Sequence, residues 1–410
     1  MTDSDTNAGS LRAALPLIVA GFVISFVLVG GGIDTVSVFL NAIAKATDWS
    51  RASLSLAVSV GALSAALSTP IIGAAVDRVG VRSPMLAGVG LLAIGFAIVI
   101  VMNHAWQFVA ANVFLGAGFA ASAIFPITVA VTMRVPDRTA LALGIVGAGA
   151  SAGALVLAPA IHAVIAAVGW RNAYVVMGTA VVLTPLPFLA LTLPRGQLRR
   201  DPTASADPTT ARLIDGLRRP GVAALAAVMI LPALAGFSVS VHLVPYLTSL
   251  GHGGSTAAGA LGGTIGISAI GKVGGGFVAD RIKPLPTLRL ALVLWAFALG
   301  VLHYATTPAI LVLFVVLYGL AFGTQIAVIP PIAVGVLGSE RFGALFGVLQ
   351  LAAMLASAIG PIASGLIFDG TGRYSGAVIM WLSAVSLAAL VAWSMRAAEA
   401  KPLPLVEAAT

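Results

Sequence analysis

Cysteine is absent from this 410-residue chain, and charge is scarce: 14 acidic and 22 basic side chains make up only 9% of it. Without thiols there can be no disulfide and no thiolate metal site, and nothing points to a redox compartment. Soluble globular chains carry roughly a quarter charged residues. A chain that is 59% hydrophobic, with a mean hydropathy of +1.06, is therefore not one of them. The remaining His, Asp and Lys residues show no metal-ligand spacing, no nucleotide-binding loop follows a strand, and no nucleophile–base pair is suggested. Neither an enzyme nor an ATP-driven pump is expected, and neither cofactor nor metal. The net charge of +8 is no nucleic-acid footprint, because the basic residues are spread over short loops between apolar runs. The opening MTDSDTNAGSLR is polar and acidic-leaning, unlike a signal peptide.

What the chain has in abundance is apolar runs. About 20 residues suffice to cross the roughly 30 Å of bilayer hydrocarbon. Twelve runs of about that length or more lie near 14–42, 52–76, 84–102, 105–133, 139–167, 171–193, 221–249, 254–279, 286–305, 308–337, 342–368 and 374–396. Helices are the element implied, since lipid offers backbone N–H and C=O groups no partner. The expectation is an all-α membrane protein: twelve transmembrane helices in two six-helix bundles, 1–193 and 221–410, joined by a polar linker over 194–220. The linker's arginines suit an anionic membrane surface, with a short helix around 210–217. The longest runs predict tilt or kinks. Assigned alternately by loop, seventeen Lys and Arg fall on one side and four on the other; with Lys272 inside a run, all 22 are placed. The positive-inside rule then puts both termini in the cytoplasm of a plasma (inner) membrane.

Lys272 stands in the apolar segment GGTIGISAIGKVGGGFVAD, and Asp34, of opposite sign, in the first run. A charge in hydrocarbon is costly unless it faces a wet cavity or a counter-charge, so both are functional candidates. Together they suggest a carrier of an ionic solute. The competing readings are a salt bridge that only locks the halves together and, for Asp34, a place near the water interface.

The halves repeat each other. Gly73, Asp77, Arg78, Gly80 and Arg82 follow the second run, and Gly276, Asp280, Arg281 and Lys283 follow the eighth, 203 residues later. Pro159 and Pro361 are 202 apart; Gly118 and Pro126 lie 205 before Gly323 and Pro331. Nearly one offset for three landmarks indicates an internal duplication, a common transporter design with its site between the repeats.

The GxxxDRxGxR pattern over 73–82 resembles the loop signature of the major facilitator superfamily, and the copy after the eighth run fits it too. That resemblance implies gating roles. Asp77 would pair with a neighbouring helix end and brace one gate state, and Arg78 and Arg82 would hold the loop. Gly73 would permit close helix approach; Gly80 belongs to the same signature, and Asp280 and Arg281 to its copy. A narrower likeness is to the monocarboxylate transporters and their bacterial oxalate/lactate-type relatives. It rests on Val36–Leu40, Trp49-Ser50-Arg51, Gly169-Trp170-Arg171, Val241–Tyr246 and Gly360–Tyr374, in that order. It implies proton-coupled transport of a small organic anion, a monocarboxylate such as lactate or pyruvate, by alternating access. The partners are then that anion, protons and the lipid bilayer, not nucleic acid, and the working unit a monomer.

By the same resemblance Lys272 stands where an arginine commonly receives the substrate carboxylate. Lysine keeps the charge but lacks the bidentate fork. Ser268 takes the place of an Asp carried by animal members, and Asp34 that of a Lys, so their proton-bearing pair is not reproduced. Asp34 then becomes the candidate proton site, since burial and a nearby ammonium act on a carboxylate in opposite directions. The first, fourth, seventh and tenth spans line the cavity of such folds. That makes Gln325 and Asn112 candidate hydrogen-bond donors, and Phe119 and Tyr318 candidate apolar wall. His242, near the outer end of the seventh span, could hydrogen-bond a carboxylate or relay a proton. Interhelical hydrogen bonding and simple packing are the competing readings for all five. A drug or cation exporter, with Asp34 facing the substrate, and an organic anion exchanger are the alternatives. Gly149, Gly153 and Pro159 are spaced too widely for the compact exporter motif.

Overall fold

A computed structural model describes residues 3–47, 49–135, 138–192, 216–219, 221–338 and 342–395, and they are helical apart from short turns. Eleven helical stretches are long and apolar enough to cross a membrane. The first four are Ala14–Ala46, Ser53–Val79, Arg82–Val101 and Ala105–Arg134. Thr139–Ala190 holds the fifth and sixth spans without an intervening loop, divided at Gly169, whose φ of 79° turns the chain. With that division the eleven stretches contain the twelve expected crossings. The seventh to twelfth are Val222–Ser249, Gly254–Ile282, Pro284–His303, Pro308–Leu337, Phe342–Thr371 and Ser375–Ser394. Of the expected linker helix only Gly216 and Leu217 are helical here; 193–215 lie outside the described residues. Where the linker is described, Arg219 Nη1 donates to the Leu337 carbonyl (2.6 Å), satisfying an end group of the tenth span.

Two of the longest spans are broken, as the tilt or kinks expected of such lengths allow. In the first, an α-helix ends at Ile24, a π-helix runs over Ser25–Ile33, and an α-helix resumes at Val36–Ala46. Gly30, Gly31 and Gly32 fall in the widened stretch, where helix propensity is weakest. The Asp34 N–H bonds back to Val29 O (2.9 Å) and the Thr35 hydroxyl to the Gly31 carbonyl, so the break keeps its polar groups paired. The fourth span breaks at Ala123 (φ −94°, ψ −137°) and restarts as Ile124–Arg134. Pro126 sits in the first turn of that second piece, where a missing N–H costs no helical bond.

The duplication is visible in the backbone. Gly80 ends the second span at φ 80°, ψ 176°, and Lys283, 203 residues on, ends the eighth at φ 77°, ψ 151°. The turn persists although the glycine does not, in a region that is essentially glycine's alone. Packing repeats as well. A Cβ on Gly116 would collide with the Gly61 carbonyl, joining spans two and four; one on Gly323 would collide with the Ser268 carbonyl, joining eight and ten. Such close approach is how helices associate where lipid removes any hydrophobic drive.

The bundles meet along two seams, span two against eleven and span five against eight. The hydrogen bonds described between them run from the end that carries the linker to mid-span. Phe125 and Phe346 stack between the bundles as well, with centroids 6.0 Å apart.

Candidate functional site

Lys272 lies on the eighth span at the seam with the fifth, 7% exposed. Its backbone is clamped from two sides. A Cβ on Gly144 would strike the Lys272 carbonyl, and one on Gly323 would come within 2.8 Å of the Lys272 nitrogen. Glycine at both places lets the helices close on it, and the side chain then runs beside Gly147 into the opposite bundle. There Nζ donates to the Gly147 carbonyl (3.1 Å) and to Ser151 Oγ (2.8 Å). Both partners are neutral. An ammonium has three donors, and the third has no partner among the described residues.

Asp34 sits at the break in the first span and is exposed. It and Lys272 attract each other electrostatically. Among the described residues, however, neither forms a direct ion pair. The two charges therefore act on each other without closing as an ion pair, which is not the salt bridge that would only lock the halves together.

The other expected site residues are dispersed. Phe119 is brought to the first span, its ring edge 2.6 Å from where a Cβ on Gly32 would stand, two residues before Asp34. Gln325 is buried with Nε2 3.5 Å from the Val228 carbonyl, a long bond from span ten to span seven. Tyr318 is buried within the second bundle, edge-on to Trp295 (5.6 Å), with its hydroxyl 3.4 Å from the Gly236 carbonyl. Asn112 spends its Nδ2 on the Phe108 carbonyl of its own helix (2.9 Å) and packs over Gly61. His242 is held within one bundle: Nε2 donates to the Pro361 carbonyl (2.9 Å), which leaves Nδ1 to face the Tyr374 hydroxyl at 3.4 Å. None of these contacts of Gln325, Tyr318, Asn112 and His242 involves Lys272 or Asp34.

The residues expected to act in gating include two carboxylates that form reciprocal bridges. The Asp77 carboxylate accepts from Gly343 N (2.9 Å) and Ala344 N (2.8 Å), capping the start of span eleven. Gly73 makes room, since a Cβ there would collide with the Gly343 carbonyl. From the other bundle, Asp280 accepts from Ala140 N (3.3 Å) and Leu141 N (3.2 Å) at the start of span five. Each carboxylate thus satisfies orphan amides at the positive end of a helix in the opposite bundle. Arg78 is exposed, Arg82 half-buried, Gly80 buried in its turn, and Arg281 lies over the Phe277 ring at 4.2 Å.

Ser151 and Gly147 were not candidates from the sequence. Ser151 is the one hydroxyl in Gly149-Ala-Ser-Ala-Gly153, a run that reads as helix packing. It is also 3.4 Å from the hydroxyl of Ser268, which in turn donates to the Ile265 carbonyl (2.7 Å).

Comparison with known proteins agrees with this architecture. The family model described as Major Facilitator Superfamily matches residues 22–292 and 267–409. Monocarboxylate transporter 11 of Homo sapiens is 27% identical over 356 residues, covering 82% of this chain and 72% of that protein. Monocarboxylate transporter 12-B of Danio rerio is 27% identical over 323 residues, 71% of this chain and 66% of its own length. Among solved structures, the E. coli fucose:proton symporter superposes with a TM-score of 0.76 at 15% identity, over 94% of this chain and 98% of that one. That last likeness is one of fold.

Proposed function

This chain belongs to the Major Facilitator Superfamily and is a multi-pass membrane transporter, not an enzyme, and from that premise we propose that it carries a small monocarboxylate together with a proton by alternating access. The observation that carries the reading is the state of Lys272. A buried ammonium that, among the described residues, is held only by a carbonyl and a hydroxyl and keeps one donor without a partner suits an anion.

Charge balance supplies the coupling. Asp34 is the charge of opposite sign that acts on Lys272. A substrate carboxylate on Lys272 takes over that role and leaves Asp34 beside a second anion, a balance that a proton on Asp34 restores. The monocarboxylate transporters among its relatives favour this substrate class. Phe119, beside the first span, supplies apolar surface for the organic group, and Gln325 an amide.

The remaining assignments complete the reading. The bundles are 1–193 and 221–410 with the linker 194–220 between them. The linker end faces the cytoplasm of a plasma or inner membrane, and the working unit is a monomer. The bridges at Asp77 and Asp280 then close the cytoplasmic side, leaving Asp34 to be reached from outside.

Purified protein in liposomes loaded with a pH-sensitive dye tests this. Acetate, L-lactate, pyruvate and oxalate are added outside, with protein-free liposomes correcting for passive entry of the free acids. Acidification beyond that control for a monocarboxylate, lost in Lys272→Ala, is the expected result. No protein-dependent signal with any acid refutes proton symport and moves anion exchange, or cation export through Asp34, ahead of it.

A further inference from the structure

The proposed anion site rests on a lysine, and a lysine alone offers a carboxylate one point of attachment rather than two parallel donors. The contacts around Lys272 show where a second donor stands. Because Nζ can only donate, the 2.8 Å contact fixes Ser151 Oγ as acceptor, and the Ser151 proton must point elsewhere. Among the described residues the acceptor it has is Ser268 Oγ at 3.4 Å, too long for a good O–H···O bond. The Ser268 proton is itself committed to the Ile265 carbonyl at 2.7 Å. Ser151, 5% exposed, therefore holds a poorly used hydroxyl donor directly beside the unspent donor of Lys272.

We infer that Ser151 is a specificity-determining residue: its hydroxyl and the third N–H of Lys272 together form a two-pronged receptor for one substrate carboxylate. The inference depends on Lys272 being the anion site, as proposed above. The two prongs come from different bundles, Ser151 from span five and Lys272 from span eight, so the carboxylate is bound across the seam rather than by one half. The Gly147 carbonyl, 3.1 Å from Nζ, fixes the ammonium's rotation and so aims its remaining proton. A carboxylate offers two converging donors a charged oxygen each, whereas a halide must meet both with one atom and a neutral amide with one uncharged oxygen. The pair thus selects for carboxylates over anions of equal charge and different shape.

The test is uptake of radiolabelled L-lactate and pyruvate into proteoliposomes, which does not depend on the proton signal. Ser151→Ala removes one bond to a charged oxygen and is expected to raise KM about tenfold, with maximal turnover within about twofold. Lys272→Arg placed in the Ser151→Ala background restores two parallel donors from one side chain, and KM is expected to return most of the way to the parent value. A defect in helix packing at position 151 would not be repaired by a change at 272. An unchanged KM in Ser151→Ala, or no recovery on adding Lys272→Arg, overturns the inference while uptake lost in Lys272→Ala leaves the anion site standing. Undiminished uptake in Lys272→Ala, or none by the parent protein, overturns the anion site and this inference with it.

Discussion

Replacing Asp77 by asparagine should shift the conformational balance of the empty transporter, and the size of the shift follows from two hydrogen bonds. The Asp77 oxygens accept from Gly343 N at 2.9 Å and Ala344 N at 2.8 Å, one bond per oxygen. Both amides belong to the first turn of span eleven, where no carbonyl of their own helix can reach them. Asparagine keeps one acceptor, turns an amino group toward the other N–H, and loses the charge that favours the helix start. One charge-assisted bond is lost and the other becomes ordinary, a change of about 2 kcal/mol for a site open to water on one side. That is about 30-fold in the equilibrium between the state with the linker end closed and the one with it open. A population of roughly 99:1 would move to about 77:23. The chain has no cysteine, so Asn103→Cys and Tyr304→Cys give two unique spin-label sites. Both residues are exposed, in loops at the end away from the linker and on different bundles. Pulsed dipolar spectroscopy should show a new, shorter distance in Asp77→Asn. An unchanged distribution refutes the bracing role. Asp280→Asn is the internal control: its bonds are 3.3 and 3.2 Å, so its effect should be several-fold smaller, and a larger one would refute the reasoning from distance.

Two further outcomes follow from the backbone. Lys283→Gly removes a side chain from a conformation that costs a non-glycine residue about 1–3 kcal/mol, against roughly 0.5–1 kcal/mol for glycine's extra freedom in the unfolded chain. It should raise the unfolding midpoint in detergent, and a lower midpoint would mean that the Lys283 side chain earns its strain elsewhere. Gly323→Ala drives a methyl into the Ser268 carbonyl one turn from Lys272, whereas Gly262→Ala, on the same eighth span as Lys272, meets nothing within 4 Å. Uptake should be lost in the first and kept in the second; the reverse order would show that the eight–ten seam is looser than described.

How much of this was legible beforehand depended on whether one helix or two decided it. The twelve spans could be read because lipid forces each apolar run to satisfy its own backbone, and only the undivided stretch over Thr139–Ala190 blurred the count. The duplication could be read because Gly73 and Asp77 recur at one offset as Gly276 and Asp280. Lys272 could be read because a charge in an apolar run is conspicuous from either side. The break around Asp34 was not legible: Gly30-Gly31-Gly32 permits a widened turn, but its extent is set by packing, with Gly30 against Gly153 and Gly32 against Phe119. For the same reason Asn112 and Tyr318 read as cavity residues from their spans alone, while their neighbours, Gly61 and Trp295, show them inside the bundles.

Ser151 is the limiting case. In sequence it is a small polar residue among glycines and alanines, 121 positions from Lys272, and every local signal assigns it to packing. Its chemistry exists only because spans five and eight come from different bundles and are drawn together by Gly144 and Gly276, where a Cβ would strike the Lys272 and Ala140 carbonyls. An arginine at 272 would carry its own two-pronged geometry and ask nothing of the facing helix. A lysine there leaves one prong to be supplied from outside, and the hydroxyl that can supply it lies across the seam between the bundles. On this proposal the departure from arginine at 272 and the serine at 151 are one feature, and substrate binding joins the two bundles through it.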